Sequence, residues 1–236
     1  MSWREKMDIK FSHVSKVFGR DTVALEDVTT TIRTGEFVYL IGATGSGKST
    51  FMKTISCEVL PTSGKVTVGD YDLALMSSTE TAMYKRNLGI IYQDFALLPQ
   101  LTAFENIAFI LEILGLSPQD VKYHAGEVLH EVGLWSKKDL LPSFLSGGEQ
   151  QRLAIARAIV TEPDIILADE PTASLDPRTA GAIMDLLFDI NAAGTTIIVS
   201  THNMQIVNDF RHRVIELSHG CINRDDPNGG YSLCKN

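Results

Sequence analysis

The sequence predicts an α/β fold in which helices cover both faces of a parallel β-sheet. Two short runs, residues 37–41 and 165–168, are almost entirely apolar, which is typical of parallel strands buried on both faces. The second half of the chain alternates strands with helices, and this alternation favours a parallel sheet. Its segments are a strand at 165–168, a helix at 178–192, a strand at 196–200, a helix at 204–210 and a strand at 214–217.

Length and composition fit one large α/β domain or two small lobes that share a core. The chain has 236 residues, of which 44% are apolar, so it can bury a substantial interior and is neither disordered nor fibrous. Its formal net charge is -8, and no basic run is interleaved with aromatic residues. Nucleic-acid binding needs a positive surface that displaces counterions from the phosphates. Composition therefore disfavours DNA or RNA as the main partner.

No part of the sequence predicts a secreted or membrane-embedded chain. Residues 1–10 carry several charges and no apolar core, so we expect no signal peptide. The most apolar run, residues 107–116, is about half a membrane span long and is interrupted by a glutamate. Cys57, Cys221 and Cys234 show neither a pairing framework nor metal-ligand spacing, and we expect reduced cytosolic thiols. We therefore expect a soluble chain that reaches a membrane only through a partner.

The first part of the chain predicts mainly strands. Apolar side chains at roughly alternate positions indicate two strands before a turn at Thr34-Gly35, and the apolar run then enters a glycine-rich loop and a helix. The predicted elements are strands at 9–18, 23–32, 37–41, 64–68 and 88–92, and a helix from about 47 to 58.

The middle of the chain changes to helical periodicity. Between residues 102 and 132, apolar side chains such as Ile107 and Leu111 recur on one helical face. Ser117-Pro118 is a helix start signal within this stretch. We therefore expect a helical insertion between strands of the core.

The glycine-rich loop follows a strand and precedes a helix. Its pattern is Gly-x-x-x-x-Gly-Lys-Ser, and its glycines let backbone N–H groups approach phosphate oxygens at a helix N-terminus. Lys48 would then bridge the β- and γ-phosphates of a nucleotide, and the Ser49 hydroxyl would ligate magnesium. An ordinary glycine-rich turn, the alternative, does not explain the strand–loop–helix context. The predicted phosphate-binding residues are Gly42, Ala43, Thr44, Gly45, Ser46, Gly47, Lys48, Ser49 and Thr50.

Two carboxylates end the apolar strand at 165–168. Asp169 and Glu170 are therefore expected at the carboxyl edge of the sheet, beside the phosphate-binding loop. Asp169 suits the role of magnesium holder, and Glu170 is placed to orient and polarise the attacking water. Alone, such a pair is most often a solvated sheet edge. In a chain with a phosphate-binding loop, we favour the catalytic role.

An octapeptide upstream of that strand resembles the signature of the ATP-binding-cassette (ABC) ATPases. Its sequence is Leu145-Ser146-Gly147-Gly148-Glu149-Gln150-Gln151-Arg152. The structural alternative is a helix N-cap at Ser146 with Glu149 completing a capping box, and both interpretations can hold. In the family this motif contacts the γ-phosphate bound by the opposite subunit. The resemblance therefore implies a head-to-tail homodimer that forms on ATP binding and holds two nucleotides.

Other positions match the family's motifs by their order behind predicted strands. The resemblance implies that Gln93 contacts magnesium, that Asp176 in Ser174-Leu175-Asp176 crosses to the partner's site, and that His202 senses the γ-phosphate. Gln93 and His202 are also open to purely structural roles. Phe18 stands where the family usually has a tyrosine stacked on adenine, and a core role is its alternative. The implied catalytic residues are Glu170, His202, Gln93 and Lys48; the metal ligands are Ser49, Gln93 and Asp169; the signature nucleotide contacts are Ser146, Gly147, Gly148 and Glu149.

The resemblance covers residues 9–217 and implies the ABC ATPase fold. That fold has a P-loop (RecA-like) parallel-sheet core, an antiparallel β subdomain and a helical signature subdomain. We expect one domain at 7–225, with residues 7–94 and 151–222 forming the core and β subdomain, residues 95–150 forming the helical subdomain, and 223–236 forming a flexible tail.

Within the family, the chain most resembles cell-division ATPases that work with a membrane protein. The evidence is Gly35-Glu36-Phe37-Val38-Tyr39-Leu40-Ile41-Gly42, Tyr92-Gln93-Asp94-Phe95 and the segment 144–151. Glu149 in place of glutamine, and Ala173-Ser174 in place of Gly-Asn, depart from the subgroup pattern. ATPases of lipoprotein release or macrolide and peptide export remain an alternative, and a soluble ABC ATPase of DNA repair or translation is another.

The implied partner is an integral membrane subunit, which would hold this chain on the cytoplasmic face of the membrane. In the family a short cytoplasmic helix docks into a groove between the core and helical subdomains. The apolar run after Gln93 is the predicted docking segment, although its side chains could simply pack the helical subdomain. It comprises Phe95, Leu97, Leu98, Leu101 and Phe104.

Overall fold

The computed structural model describes residues 7–231 and contains two β-sheets with helices packed around them. The strands are β1 (Ile9–Phe18), β2 (Thr22–Ile32), β3 (Phe37–Ile41), β4 (Ser63–Val68), β5 (Tyr71–Asp72), β6 (Leu88–Ile91), β7 (Ile165–Asp169), β8 (Thr196–Ser200), β9 (His212–Ser218) and β10 (Cys221–Gly229). The helices are α1 (Lys48–Ile55), α2 (Ser78–Arg86), α3 (Ala103–Ile113), α4 (Pro118–Glu131), α5 (Gly147–Ile159), α6 (Pro177–Ala192) and α7 (Met204–Asp209), with short 3-10 turns at Trp135–Lys137 and Pro142–Phe144.

The larger sheet confirms the predicted α/β architecture. Its strand order is β10-β9-β3-β8-β7-β6, and the five strands from β9 to β6 are parallel. All five residues of β3 are buried. Tyr39 and Ile41 belong to a core shared with α3, α4, α5 and α6, whereas Val38 and Leu40 belong to a core shared with α1 and the smaller sheet. Burial on both faces explains why this strand is continuously apolar.

The smaller sheet is antiparallel and has the order β2-β1-β4-β5. It packs on α1, where the rings of Phe11 and Phe51 stack with their centroids 4.2 Å apart. The antiparallel β component expected from the family resemblance is therefore confirmed. It also fixes α1, and with it the loop that precedes this helix.

The predicted helical stretch forms two helices, α3 and α4. Thr102 caps α3 through a capping box with Glu105, and Ser117 caps α4 with Pro118 at its first turn. Both helices bury apolar residues in the larger core, among them Ile107 and Leu129. The start signal at Ser117-Pro118 is confirmed. Both helices lie within residues 95–150, and the assignment of that range to a separate subdomain remains a prediction.

Two local predictions need correction. Helix α1 ends at Ile55 rather than near residue 58, since Cys57 has a left-handed backbone (φ 55°) that no continuing helix accommodates. Helix α2 was not predicted, although Ser77 and Glu80 form a capping box at its start. Their spacing is a sequence signal for a helix start. The helix buries only Tyr84, so its apolar periodicity is weak.

The expectation of a flexible tail is wrong for residues 223–229. These residues lie in β10, which pairs antiparallel with β9. The Arg213 guanidinium on β9 donates to both carboxylate oxygens of Asp225, at 2.8 and 2.7 Å, and to Glu36 at 2.7 Å. Thr30 of β2 donates to Asp225 as well. These charge-assisted bonds hold the polar strand against both sheets. Residues 232–236 of the predicted tail lie outside the described residues.

Within residues 7–231, no helix combines the length and apolarity needed to cross a bilayer. Cys57 and Cys221 are free thiols, and Cys234 lies outside the described residues. Burial raises the pKa of the Cys57 thiol to about 11, which keeps it protonated and unreactive at neutral pH.

Candidate functional site

The phosphate-binding loop, residues 42–49, connects β3 to α1 and is packed tightly on its inner side. Gly42 has φ 143°, and a Cβ added there would lie 2.2 Å from the Leu217 carbonyl oxygen. Gly47 has φ 111°, and its Cβ would lie 2.5 Å from the Ala24 carbonyl oxygen. Only glycine fits these two positions. The outer residues are open to solvent; they are Ala43, Thr44, Gly45 and Ser49.

Lys48 directs its ammonium back across the loop. Its Nζ donates to the Gly42 carbonyl at 2.7 Å and to the Ala43 carbonyl at 3.1 Å. Burial lowers the pKa of Lys48, and the negative charges of Glu170 and Asp169 oppose that shift. The ammonium thus lies in the field of both carboxylates, as expected from the sequence. Ser46 is buried, whereas Gly47 and Thr50 are half-buried.

The sheet order brings the other predicted residues to the same edge. Strands β3, β8, β7 and β6 are adjacent and parallel, so their carboxyl ends form one row. From that row emerge the phosphate-binding loop, His202, Asp169 with Glu170, and Gln93. Residues separated by more than a hundred positions in sequence therefore meet at one edge, where α/β proteins bind ligands.

Glu170 is fixed in place by its backbone and by His202. Its backbone is left-handed (φ 49°), and its N–H donates to the Ser200 carbonyl at 3.0 Å. Its Oε1 lies 2.7 Å from His202 Nδ1. The Glu170 side chain is 12% exposed, whereas that of His202 is 68% exposed. The carboxylate is therefore sheltered and oriented, and the imidazole faces solvent. A left-handed backbone is uncommon at residues other than glycine, and here the surrounding contacts hold it in place.

Asp169 has a partner that the sequence did not single out. The Ser200 hydroxyl at the end of β8 hydrogen-bonds Asp169 Oδ1. Ser200 itself is fully buried. This contact fixes the orientation of the Asp169 carboxylate. The sequence gives little sign of this contact between Ser200 and Asp169. Each residue ends an apolar strand, and only the pairing of β7 with β8 shows that the two lie opposite each other.

Gln93 lies exposed in a turn after β6, and the residues that follow it have unusual backbones. Phe95 (φ 61°) and Ala96 (φ 48°) are both left-handed. Arg157 of α5 donates through Nη1 to the Ala96 carbonyl. The turn that carries Gln93 is thereby tied to the helix that begins with the signature. No local signal in the sequence marks Arg157 for this contact.

The signature lies at the N-terminus of α5. The Ser146 N–H donates to Glu149 Oε2 at 2.9 Å, and the two residues form the predicted capping box. Lys137 Nζ contacts Glu149 Oε1 at 2.5 Å. Hydrogen bonds from Lys137 and Ser146 lower the pKa of the Glu149 carboxyl. Both interpretations of this segment therefore remain compatible, since the cap leaves Gly147 and Gly148 at an open helix N-terminus.

A cavity of about 510 Å³ adjoins the signature. Its lining joins Ser146 to Glu149 with residues 174–176 and the start of α6. Asp176 caps α6, since its Oδ1 accepts from the N–H groups of Arg178 and Thr179, each at 3.1 Å. A hydrogen bond from the Thr179 side chain, together with the bond from the Thr179 N–H, lowers the pKa of the Asp176 carboxyl. Within residues 7–231, no residue of the phosphate-binding loop lines this cavity.

Phe18 and the predicted docking segment have contrasting environments. Phe18 ends β1 and is 41% exposed, with Lys16 Nζ 5.1 Å from its ring centroid, so a core role is excluded.

In the docking segment, Phe95 lines a groove, whereas Leu97 and Phe104 pack against the hydrophobic core. Leu98 and Leu101 are half-buried. The docking prediction itself stays a prediction, with Phe95 as the member that reaches the groove.

Comparison with known proteins supports the same interpretation. A sequence profile of the family described as ABC transporter matches residues 25–173. The chain is 46% identical over 223 residues to the cell division ATP-binding protein FtsE of Bacillus subtilis, covering 94% of this chain and 98% of the relative. It is 45% identical over 228 residues to the protein of the same name from Mycobacterium tuberculosis, covering 96% and 99%.

Solved structures of cassettes share this fold. The dimeric post-hydrolysis state of the ATP-binding cassette MJ0796, bound to ADP and Pi, is similar with a TM-score of 0.84 and 36% identity, covering 94% of this chain and all of that one. The structure of cbiO1 from Clostridium perfringens, part of the transporter complex cbiONQ, is similar with a TM-score of 0.88 and 27% identity, covering 94% and 89%.

Proposed function

This chain belongs to the ABC transporter family and is an ATP-binding ATPase, and from that premise we propose that it hydrolyses MgATP as a head-to-tail dimer that acts on a membrane partner. The observation that carries the proposal is the separation of two half-sites. The phosphate-binding loop, Asp169 and Glu170 share one sheet edge, whereas the signature and Asp176 line a different cavity. A second copy of the chain brings the two halves together.

The site has suitable ligands for magnesium. The Ser49 hydroxyl, the Asp169 carboxylate and the Gln93 amide are oxygen donors of the kind that Mg²⁺ prefers. Ser49 and Gln93 are exposed, and the Ser200 hydroxyl engages one of the two Asp169 carboxylate oxygens. We assign the metal to these three side chains. When bound, magnesium neutralises charge on the β- and γ-phosphate oxygens.

The protein's own residues position the reactants. Lys48 and the loop N–H groups hold the phosphates. Glu170 accepts a hydrogen bond from the attacking water and aligns it with the γ-phosphorus, while His202 holds that carboxylate and faces the γ-phosphate. Ser146, Gly147 and Gly148 of the second copy donate to the γ-phosphate from a helix N-terminus, where the dipole favours anions.

We expect Ser200→Ala to weaken magnesium activation of ATP hydrolysis. Without the hydroxyl, the Asp169 carboxylate loses the contact that orients it, and loss of such an outer partner costs about 10- to 100-fold in metal affinity or activity. The measurement is the ATPase rate as a function of magnesium concentration. Ser218→Ala at the end of β9, which β3 separates from β8, is the control and should retain the wild-type curve. Identical curves for all three proteins would exclude a role for Ser200.

The proposed partner is an FtsX-like membrane subunit, and the proposed process is cell division. The support is the match to FtsE proteins over nearly their whole length. On the strength of the same FtsE relatives, we place the chain on the cytoplasmic face of the membrane, held there by that subunit. Phe18 is proposed to stack on adenine, since its ring is exposed at the end of β1.

Co-purification tests the partner assignment. The full chain, expressed with the membrane proteins of its own organism, should capture a four-span subunit with an extracellular domain. Capture of a larger lipoprotein-release or export subunit instead would favour the transporter alternative. Nucleotide-dependent binding to DNA or ribosomes would favour the repair or translation alternative.

A further inference from the structure

The first turn of α5 carries an acidic side chain, Glu149, which lines the cavity of about 510 Å³ beside the signature. Both carboxylate oxygens have partners, since Oε2 accepts from the Ser146 N–H at 2.9 Å and Oε1 lies 2.5 Å from Lys137 Nζ. These hydrogen bonds lower the pKa of the Glu149 carboxyl, so it is ionised at neutral pH. A negative charge therefore stands at the helix N-terminus that has to receive a phosphate.

This carboxylate opposes phosphate binding in two ways. Like charges repel more strongly where an interface excludes water. The carboxylate also accepts the Ser146 N–H and interacts with the positive end of the helix dipole, and both would otherwise serve the incoming anion. A phosphate site on this helix therefore needs a positive charge that balances Glu149.

Lys137 supplies that positive charge. Its side chain is 40% exposed and that of Glu149 is 25% exposed, so the pair is partly sheltered from solvent. Within residues 7–231, Glu149 lines the cavity and Lys137 does not. The ammonium therefore balances the carboxylate without lining the phosphate site itself.

The segment that carries Lys137 is anchored to the signature helix. Lys137 ends the 3-10 turn after α4, and its N–H donates at 2.9 Å to the carbonyl of Leu134, which is buried in the larger core. Arg152, on α5 itself, donates to the Val132 carbonyl at 3.2 Å. These contacts tie the turn to α5, so the lysine is held beside Glu149 before a nucleotide arrives.

We propose that Lys137 is a positioning residue for ATP hydrolysis, which neutralises the Glu149 carboxylate so that the signature helix accepts the γ-phosphate held by a second copy of the chain. The inference rests on the proposed function, because that phosphate reaches the helix only in the head-to-tail dimer. A lysine that merely stabilised the turn would matter whether or not residue 149 is charged. A neutralising lysine becomes dispensable once residue 149 is neutral.

A double-substitution cycle tests this role in the full chain. Lys137→Met keeps the apolar stem of the side chain and removes its charge, and Glu149→Gln removes the opposing charge at nearly constant size. We expect Lys137→Met to raise the MgATP concentration for half-maximal hydrolysis by about tenfold. The same substitution should change it by less than about twofold when Glu149→Gln is already present.

Two further variants control for charge and position. Lys137→Arg retains the positive charge and should restore most of the ATP dependence. Lys138→Met is the matched control, since the Lys138 ammonium pairs with Asp139 at 2.6 Å, and it should behave as the wild type. Thermal unfolding of each variant establishes that it folds, and if Lys137→Met does not, Lys137→Gln carries the test.

A mixed dimer separates this inference from the proposed function. One chain carries Lys48→Ala and the other carries Gly147→Asp, so the one complete site combines the signature of the first chain with the phosphate-binding loop of the second. Adding Lys137→Met to the first chain should slow hydrolysis by about tenfold at low MgATP, whereas adding it to the second chain should not. If the mixed dimer hydrolyses no ATP even with Lys137 in both chains, the proposed two-copy function fails.

Three results would overturn the inference while the two-copy function stands. The first is an equal effect of Lys137→Met in the two chains of the mixed dimer. The second is an effect of Lys137→Met that is as large with Glu149→Gln as without it. The third is a wild-type ATP dependence for both Lys137→Met and Lys137→Gln.

Discussion

Replacing Glu170 by glutamine is expected to lower the rate of ATP hydrolysis by about 10²- to 10³-fold while ATP binding persists. The amide keeps the size of the side chain but cannot orient and polarise the attacking water as the carboxylate does. The carboxylate is well prepared for that task, because it is 12% exposed and held 2.7 Å from His202 Nδ1. The phosphate-binding loop is untouched, so the nucleotide still binds, and a stable ATP-bound dimer should accumulate.

Two measurements check this prediction. Steady-state hydrolysis gives the rate, and size-exclusion chromatography with MgATP gives the dimer fraction. Glu112→Gln, an exposed glutamate on α3, is the control and should match the wild type in both. Hydrolysis by Glu170→Gln at the wild-type rate would show that Glu170 does not align the water.

Replacing Lys48 by alanine is expected to remove most ATP binding. The rate of ATP hydrolysis should therefore fall by at least about 10²-fold. The lysine is the loop's cation, and its ammonium already lies between the loop carbonyls of Gly42 and Ala43. Without it, the β- and γ-phosphates lose their charge-assisted donor. Titration with a fluorescent ATP analogue measures the affinity directly.

Lys53→Ala supplies the matched control for Lys48→Ala. Both lysines lie on α1, but Lys53 is exposed in its last turn. We therefore expect near-wild-type nucleotide affinity for Lys53→Ala and a wild-type unfolding temperature for both variants. Equal losses of affinity in the two proteins would indicate a general effect of charge on α1 and would contradict the assigned role of Lys48.

The parallel core could be predicted because its signal is local. Strand β3 is buried on both faces, so its five residues are apolar. Five consecutive apolar residues in the sequence are enough to indicate this burial. The first four residues of β7 are likewise apolar and buried. The capping box of Ser146 and Glu149 is equally local, since its partners are three residues apart.

Strand β10 could not be predicted because its stabilising partners are distant. Its polar sequence suggests a loop, yet Asp225 is held by Arg213 of β9, and the same arginine bonds Glu36 at the start of the core. A polar segment can form a strand when a neighbouring edge strand supplies hydrogen bonds and ion pairs of this kind. The sequence shows the charges but not their pairing across the two sheets.

The candidate site also contains residues that the sequence could predict and residues that it could not. Asp169, Glu170 and His202 follow apolar strands, so their position at the sheet edge could be inferred. Ser200 and Arg157 could not, because their roles depend on which strand or turn lies opposite. Ser200 faces Asp169 only through the pairing of β7 with β8, and Arg157 reaches Ala96 only through packing of α5 on the turn after β6.

Mixing two inactive variants tests the two-copy site most directly. Lys48→Ala disables the half-site formed by the phosphate-binding loop. Gly147→Asp disables the signature half-site, because it places a negative charge where the γ-phosphate should bind. A Cβ at Gly147 would meet only Leu175, at an ordinary 3.7 Å, so this variant should still fold. A mixed dimer contains one site with both halves intact. We predict that the mixture hydrolyses ATP although neither variant does so alone. A mixture as inactive as its components, with mixed dimers shown to form, would contradict a site shared between two copies.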